Sequence, residues 1–164
     1  MNQIEKAAQI IQENVYLTLA TVEGNKPWAA PLFYIYDENL NFYFHSRKSS
    51  RHAEEIRKNP DCAVAIFDST KCSSECDGLQ IQATCHEIND VHDVKKIIYP
   101  YYERADSTDP DLWGDEWKQP DLYLDGGDRR FYVIRPTAIF KPIGDEDHRE
   151  EVSIEELKKA LTND

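Results

Sequence analysis

The sequence predicts a mainly β fold, an antiparallel barrel or strongly curved sheet with α-helices at its periphery. Three observations predict it. Runs of β-branched and aromatic residues recur at strand length; the first three are joined by short polar turns with no crossover helix between them; and no glycine-rich phosphate loop follows any strand, which disfavours a parallel α/β sheet.

Residues 4–14 place Ile4, Ala7, Ala8 and Ile11 at helical spacing, which predicts a short amphipathic helix able to lie on a sheet. Residues 15–22, VYLTLATV, read as a first strand, and Glu23-Gly24-Asn25-Lys26 as the turn into a second over 28–36. A turn over 37–41 leads to a third strand at 42–45. A helix over 50–58 follows, with Ser49 or Ser50 as its N-cap and Asn59-Pro60 as its stop. The apolar run 62–67, CAVAIF, and the alternating 79–88, LQIQATCHEI, are the fourth and fifth strands.

A helix over 91–102 carries Val94, Ile97 and Ile98 on one face, with Pro100 expected to disturb its end. The acidic stretch 105–128 reads as a loop, held down by Trp113, Trp117 and Tyr123. The sixth strand, 130–140, contains Pro136 and is expected to bend or to lie at an edge. Polar sequence after Gly144 leads to a terminal helix over 152–161 capped by Ser153. A single domain is expected, with a barrel core over 15–142 and a polar tail and terminal helix over 143–164.

A chain of 164 residues with 40% hydrophobic residues can bury a core, and a net charge of −12 disfavours generic nucleic-acid binding. There is no apolar run approaching the roughly 20 residues that span a bilayer, and the first residues lack a basic start followed by an apolar stretch. A cytoplasmic protein without a membrane partner is expected. Four cysteines, Cys62, Cys72, Cys76 and Cys85, are too sparse for a disulfide scaffold.

Against this acidic background the segment from His45 to Lys58 carries Arg47, Lys48, Arg51, Arg57 and Lys58 against only Glu54 and Glu55. It is a strand, a serine-containing basic turn and a helix start. Helix N-termini expose backbone N–H groups and the positive end of the dipole, so this turn is a candidate phosphate site; the alternative is a solvated helix start.

The stretch LATVEGNKPWAAPLFYIYD followed by LNFYFHSRKSSRHAEEIRKNPDCAVAIF resembles the pyridoxamine 5′-phosphate oxidase-like family, the FMN-binding split barrels. The resemblance is carried by ATVEGNKP, by the aromatic-rich hairpin ending at Tyr36-Asp37, and by Ser46 to Pro60. It implies a six-stranded split β-barrel of Greek-key type that forms a homodimer with FMN at the subunit interface. By position, Ser46, Lys48, Ser50, Arg51 and His52 would surround the FMN phosphate, and the backbone at Pro31, Leu32 and Phe33 would face the flavin ring. His52 stands where many members have lysine. Ala29 stands where the vitamin B6 enzymes place an arginine, and the Arg-x-His element of those enzymes is missing, since His148 and Arg149 are adjacent. Vitamin B6 oxidase activity is therefore not expected.

The resemblance thus implies an FMN-binding, flavin-dependent oxidoreductase whose small-molecule substrate and electron donor are not readable. Haem is the rival cofactor, through His45, in a non-catalytic binding or sensor protein of the same fold; otherwise His45 is a strand-end histidine bonded to its neighbours. A barrel without cofactor, acting through its acidic surface, is a third reading. Gln80 and Gln82 share one strand face and either bond the flavin across the dimer or face solvent. Trp113 and Trp117 either cover the flavin or anchor their loop. Cys72, Cys76, Cys85 and His86 have zinc-binding chemistry, but Cys85 and His86 would point to opposite strand faces, so no metal site is expected. Cys72 and Cys76 are spaced for a redox pair, or are ordinary loop thiols.

Overall fold

The structure is a computed structural model and describes residues 1–71, 77–106, 113–143 and 148–162. After helix α1 (Gln3–Glu13), strand β1 (Tyr16–Glu23) turns at Gly24, whose φ of 58° suits glycine, into β2 (Lys26–Phe33). Tyr34 alone separates β2 from β3 (Ile35–Tyr36), which pairs with β4 (Phe42–Arg47). Helix α2 (Arg51–Lys58), β5 (Asp61–Phe67), β6 (Gly78–Ile88) and helix α3 (Val91–Asp106) follow. Two short 3-10 turns, Asp115–Lys118 and Pro120–Tyr123, lead to β7 (Arg129–Ile143), β8 (His148–Glu151) and helix α4 (Ile154–Thr162).

The antiparallel sheet runs β2-β1-β5-β6-β7-β4-β3. Because β2 and β3 are one stretch of chain, the same stretch lies at both edges and curls the sheet into a split barrel. Tyr34, at that joint, is fully buried and donates from its hydroxyl to the Ile11 carbonyl at 2.8 Å, tying the seam to α1. Counted this way, the barrel has the six strands expected.

Strand alternation then fills the inside. Leu17, Leu19, Phe42, Phe44, Val64, Ile66, Ile81, Cys85, Tyr132 and Ile134 form one buried cluster with residues of α1, α2 and α4. Phe44 stacks on Tyr132 with centroids 5.0 Å apart. Outside the barrel, α3 and the 3-10 turns build a second cluster over β3, β4 and β7, from Val94, Ile98, Tyr101, Tyr102, Tyr123 and Phe131. No described helix is long and apolar enough to cross a membrane.

Two features differ from expectation and a third gives it a definite form. Helix α3 continues through Pro100 to Asp106, because Tyr101, Tyr102 and Ala105 prolong its buried face and outweigh one lost backbone bond. The bend expected at Pro136 takes the form of a bulge, on a part of β7 that is paired with β6 alone among the described strands: the β6–β7 register shifts there, Pro136 opposing Ala83 and Ala138 opposing Gln82, so Thr137 is the extra residue. Strand β8 was not expected, since its four side chains are exposed and polar and show no apolar alternation.

The outer layer is cross-linked through His45. Arg129 donates to His45 Nδ1 at 3.4 Å, and the other ring nitrogen lies 3.3 Å from the Tyr102 hydroxyl. That hydroxyl bonds to the Tyr123 hydroxyl, which donates to the Trp117 carbonyl at 2.8 Å. The order of donors requires a neutral ring. Burial first, and the Arg129 cation second, hold the His45 pKa down to about 3 from the usual 6.5.

Two expectations follow from this packing. Phe44→Ala should cost about 3–5 kcal/mol, read as a lower urea midpoint, because it opens a cavity against Tyr132. The folded pKa of His45 lies below its unfolded value, so its contribution to stability is complete above about pH 6.5 and is lost as pH falls towards 3. Urea midpoints measured from pH 7.5 to 5 should therefore fall in the wild type and fall less in His45→Gln; a flat wild-type profile would show that the ring is not held neutral.

Candidate functional site

The pleat of β4 sorts the basic segment onto two faces. Phe44 and Ser46 face the barrel side with α2, whereas His45 and Arg47 face the outer layer. On the barrel side, Ser46 Oγ and Ser50 Oγ lie 2.9 and 3.1 Å from His52 Nε2, and Ser46 donates to Ser50 at 3.1 Å. Ser50, not Ser49, is the N-cap of α2, and its side chain makes no capping bond because it belongs to this triangle. The first intrahelical bond runs from Glu54 N to Ser50 O, so the N–H groups of Arg51, His52 and Ala53 have no helical acceptor. Two hydroxyls and a helix N-terminus therefore converge.

His52 is buried, and burial lowers its pKa, with Glu55 partly opposing. It is neutral near pH 7 and orients the two serines rather than supplying positive charge. Arg51 is also otherwise engaged. Its Nε donates to Glu55 Oε1 at 2.8 Å and its guanidinium lies 4.5 Å over the Trp28 ring. Glu55 is only 1% exposed and takes a second bond from Thr21 Oγ1 at 2.5 Å. Burial pushes its carboxyl up, but the bonds from Thr21 and Arg51 outweigh that and hold it below the usual range.

The remaining cations are largely compensated. Arg47 pairs with Asp128 at 3.4 Å, Arg57 with Glu87 at 3.2 Å, and Lys58 with Glu23. Lys48 differs. Its backbone is fixed by Asp128 O and by Arg57, while its exposed ammonium has no ion-pair partner among the described residues.

The other expected positions lie apart. Pro31, Leu32 and Phe33 are on β2 at the sheet edge, where one side of the backbone has no strand partner among the described residues. Gln80 and Gln82 are exposed on β6, with Gln80 bonded by Arg149. His45 and Trp113 belong to the outer layer and not to the serine cluster; Trp113 packs on Tyr102 and Trp117, as a loop anchor does. Cys85 is fully buried and His86 exposed on the opposite face, and burial raises the nearby Cys62 thiol to about 12. Cys72 and Cys76 lie outside the described residues, as does part of the acidic stretch. Among the described residues no group of three or more acidic, histidine or cysteine side chains could hold a metal.

Residues missed from sequence are Thr21 and Glu55, which fix Arg51, and Arg129, which faces His45. The Arg51–Glu55 spacing of four on a helix was a visible signal; the other contacts arise from strand pairing.

A family model described as pyridoxamine 5′-phosphate oxidase matches residues 4–141. A UPF0306 protein of Pasteurella multocida is 31% identical over 77 residues, 46% of this chain and 52% of the relative. Another, of Photorhabdus laumondii, is 30% identical over 67 residues, 40% of this chain and 47% of the relative. The matches thus span about half the length of these curated relatives. Among solved structures, general stress protein 26 of Bacillus anthracis is similar with a TM-score of 0.61 at 17% identity, over 93% of this chain and all of that one. The haem storage protein of Vibrio cholerae gives 0.68 at 19% (88% and 98% covered), and an FAD-binding protein of Mesorhizobium loti 0.63 at 15% (90% and 93% covered). Such identities speak for the fold alone; the family model covers most of the sequence, and the chain belongs to the pyridoxamine 5′-phosphate oxidase family.

Proposed function

We propose that the protein binds FMN through its phosphate at the turn between β4 and α2 and acts as a flavin-dependent oxidoreductase. The observation that carries this reading is the convergence of Ser46, Ser50 and the first N–H groups of α2, in a turn that also contains Lys48, which has no ion-pair partner among the described residues. A phosphate dianion matches that set, since hydroxyls and helix N–H groups donate to its oxygens and a cation stands nearby. His52 would keep the serine hydroxyls pointed, and the free edge of β2 at Pro31 to Phe33 would meet the ring. Bound FMN supplies two-electron redox chemistry, while the chain binds, orients and controls access.

The family's name does not carry its reaction to this chain. His148 and Arg149 sit side by side on an exposed strand, with Arg149 bonded to Gln80, so they do not reproduce the Arg-x-His element. The proposed partner is a second copy of the chain. The outward face of β1, β5 and β6 supports it, with Ala20, Ala63 and Ala65 lining a hollow of ≈380 Å³, with Pro31 and Ala29 of β2 opposite Thr18 and Ala20, and with Tyr16 and Phe67 60% and 47% exposed. A haem reading would have to release His45, both of whose ring nitrogens are engaged.

Purified protein incubated with FMN and gel-filtered should retain flavin absorbance and elute as a dimer by light scattering. A Soret band from the purified protein, without flavin uptake, would transfer the reading to haem. Ser46→Ala and Lys48→Ala should each weaken FMN by about ten- to a hundredfold, as expected for charge-assisted bonds of about 1.5–3 kcal/mol; unchanged affinity in the double variant would displace the site. Arg51→Ala should instead lower stability by about 3 kcal/mol, since it strands the buried Glu55.

A further inference from the structure

We propose that the cleft on the other face of β4, between β7 and the two 3-10 turns, is a binding site for a small carboxylate carried on an apolar planar body. The inference goes beyond the flavin reading and does not depend on it. The cleft is ≈400 Å³, within the range of small-molecule sites, and is lined by Arg47, Arg129, Trp117, Leu122, Glu116 and Asp128.

Its charge pattern is unusual for a folded surface. Arg47 and Arg129 are directly opposite in the β4–β7 ladder, an arrangement of like charges that costs stability unless an anion lies between them. Arg47 is met by Asp128, in a pair whose side chains are 65% and 56% exposed and which is therefore weak. Arg130, the next residue, is neutralised by Glu87 and Asp125 on the reverse face. Arg129 has no carboxylate partner among the described residues. It is half-buried, and its polar contact is His45, a neutral ring that accepts one bond and returns no charge.

A half-buried guanidinium without a counter-ion retains binding capacity for an anion. Its plane is also fixed. The guanidinium carbon sits 4.8 Å from the centre of the Trp117 ring, and Trp117 is itself braced edge-on by Trp113 at 4.9 Å. Leu122 adds an aliphatic wall. A carboxylate bonded to Arg129, with Arg47 released from its exposed pair to close on it, leaves an attached ring or chain against Trp117 and Leu122. Glu116, on the exposed rim, disfavours a ligand with a second negative charge at its outer end.

The test is calorimetric titration of the full chain, without added flavin, using benzoate as probe and benzylamine as its cationic counterpart. Benzoate should bind saturably at one site per chain. Arg129→Gln should weaken it about tenfold or more, the loss expected of a charge-assisted bond, with folding checked by circular dichroism. Arg47→Gln, at an exposed position that carries no folding risk of that kind, should weaken it severalfold. No saturable binding at millimolar benzoate, benzylamine binding as tightly as benzoate, or unchanged benzoate affinity in Arg47→Gln and Arg129→Gln would overturn the assignment. Failure of FMN to bind would leave these outcomes readable.

Discussion

The alternation of β4, held in register by β7, is the constraint on which the rest of the chemistry depends. Six consecutive backbone pairings, from Phe42 opposite Ile134 to Arg47 opposite Arg129, leave no freedom to slip by one residue without exchanging every side chain between faces. Phe44 and Phe42 must go inward, since they fill the barrel, and this decides that Ser46 accompanies them and that His45 and Arg47 do not. One short basic segment is thereby divided into a serine-lined helix start on one side and an arginine-lined cleft on the other.

The buried Glu55 shows how such a turn is kept in shape. A carboxylate at 1% exposure is tolerable only when its oxygens are bonded, and Thr21 on β1 and Arg51 on α2 each take one. The pair fixes α2 to the barrel wall and so fixes the angle at which its first N–H groups emerge. The consequence for Arg51 is a structural role beside the one expected of it at the phosphate turn: through Nε it is the counter-ion of the buried Glu55, and the Trp28 face holds its guanidinium. Lys48 adds positive charge at the turn and has no ion-pair partner among the described residues.

Much of this was legible in the sequence because it is written in local patterns. Strand alternation in 15–22 and 79–88, the serine-rich cap, and the Gly24 turn are each short-range signals, and their order carried the family resemblance. What was not legible arises from pairing between distant segments. Arg129 meets His45 across 84 residues and Glu55 meets Thr21 across 34, and nothing in either local window announces those partners. Pro100 is a local signal for a helix end, but the apolar spacing continues to Ala105, and the packing of that face carries the helix on to Asp106. Strand β8 was hidden for the opposite reason, being polar on both faces and specified only by the edge it joins.

Electrostatic balance joins the two faces. With a net charge of −12, the protein repels anions at long range, so any anionic ligand must be held by contacts at close quarters rather than by a general positive field. In this segment the fold pairs Arg47, Arg51, Arg57 and Lys58 with carboxylates, the Arg47 pair being exposed and weak, which lessens the indiscriminate attraction that a basic turn would exert. Among the described residues Lys48, in the turn after β4, and Arg129, beside the neutral His45, are left without a carboxylate partner. A site built this way discriminates by geometry: an anion gains little from approaching the surface and much from fitting against a fixed hydroxyl pair or a fixed guanidinium.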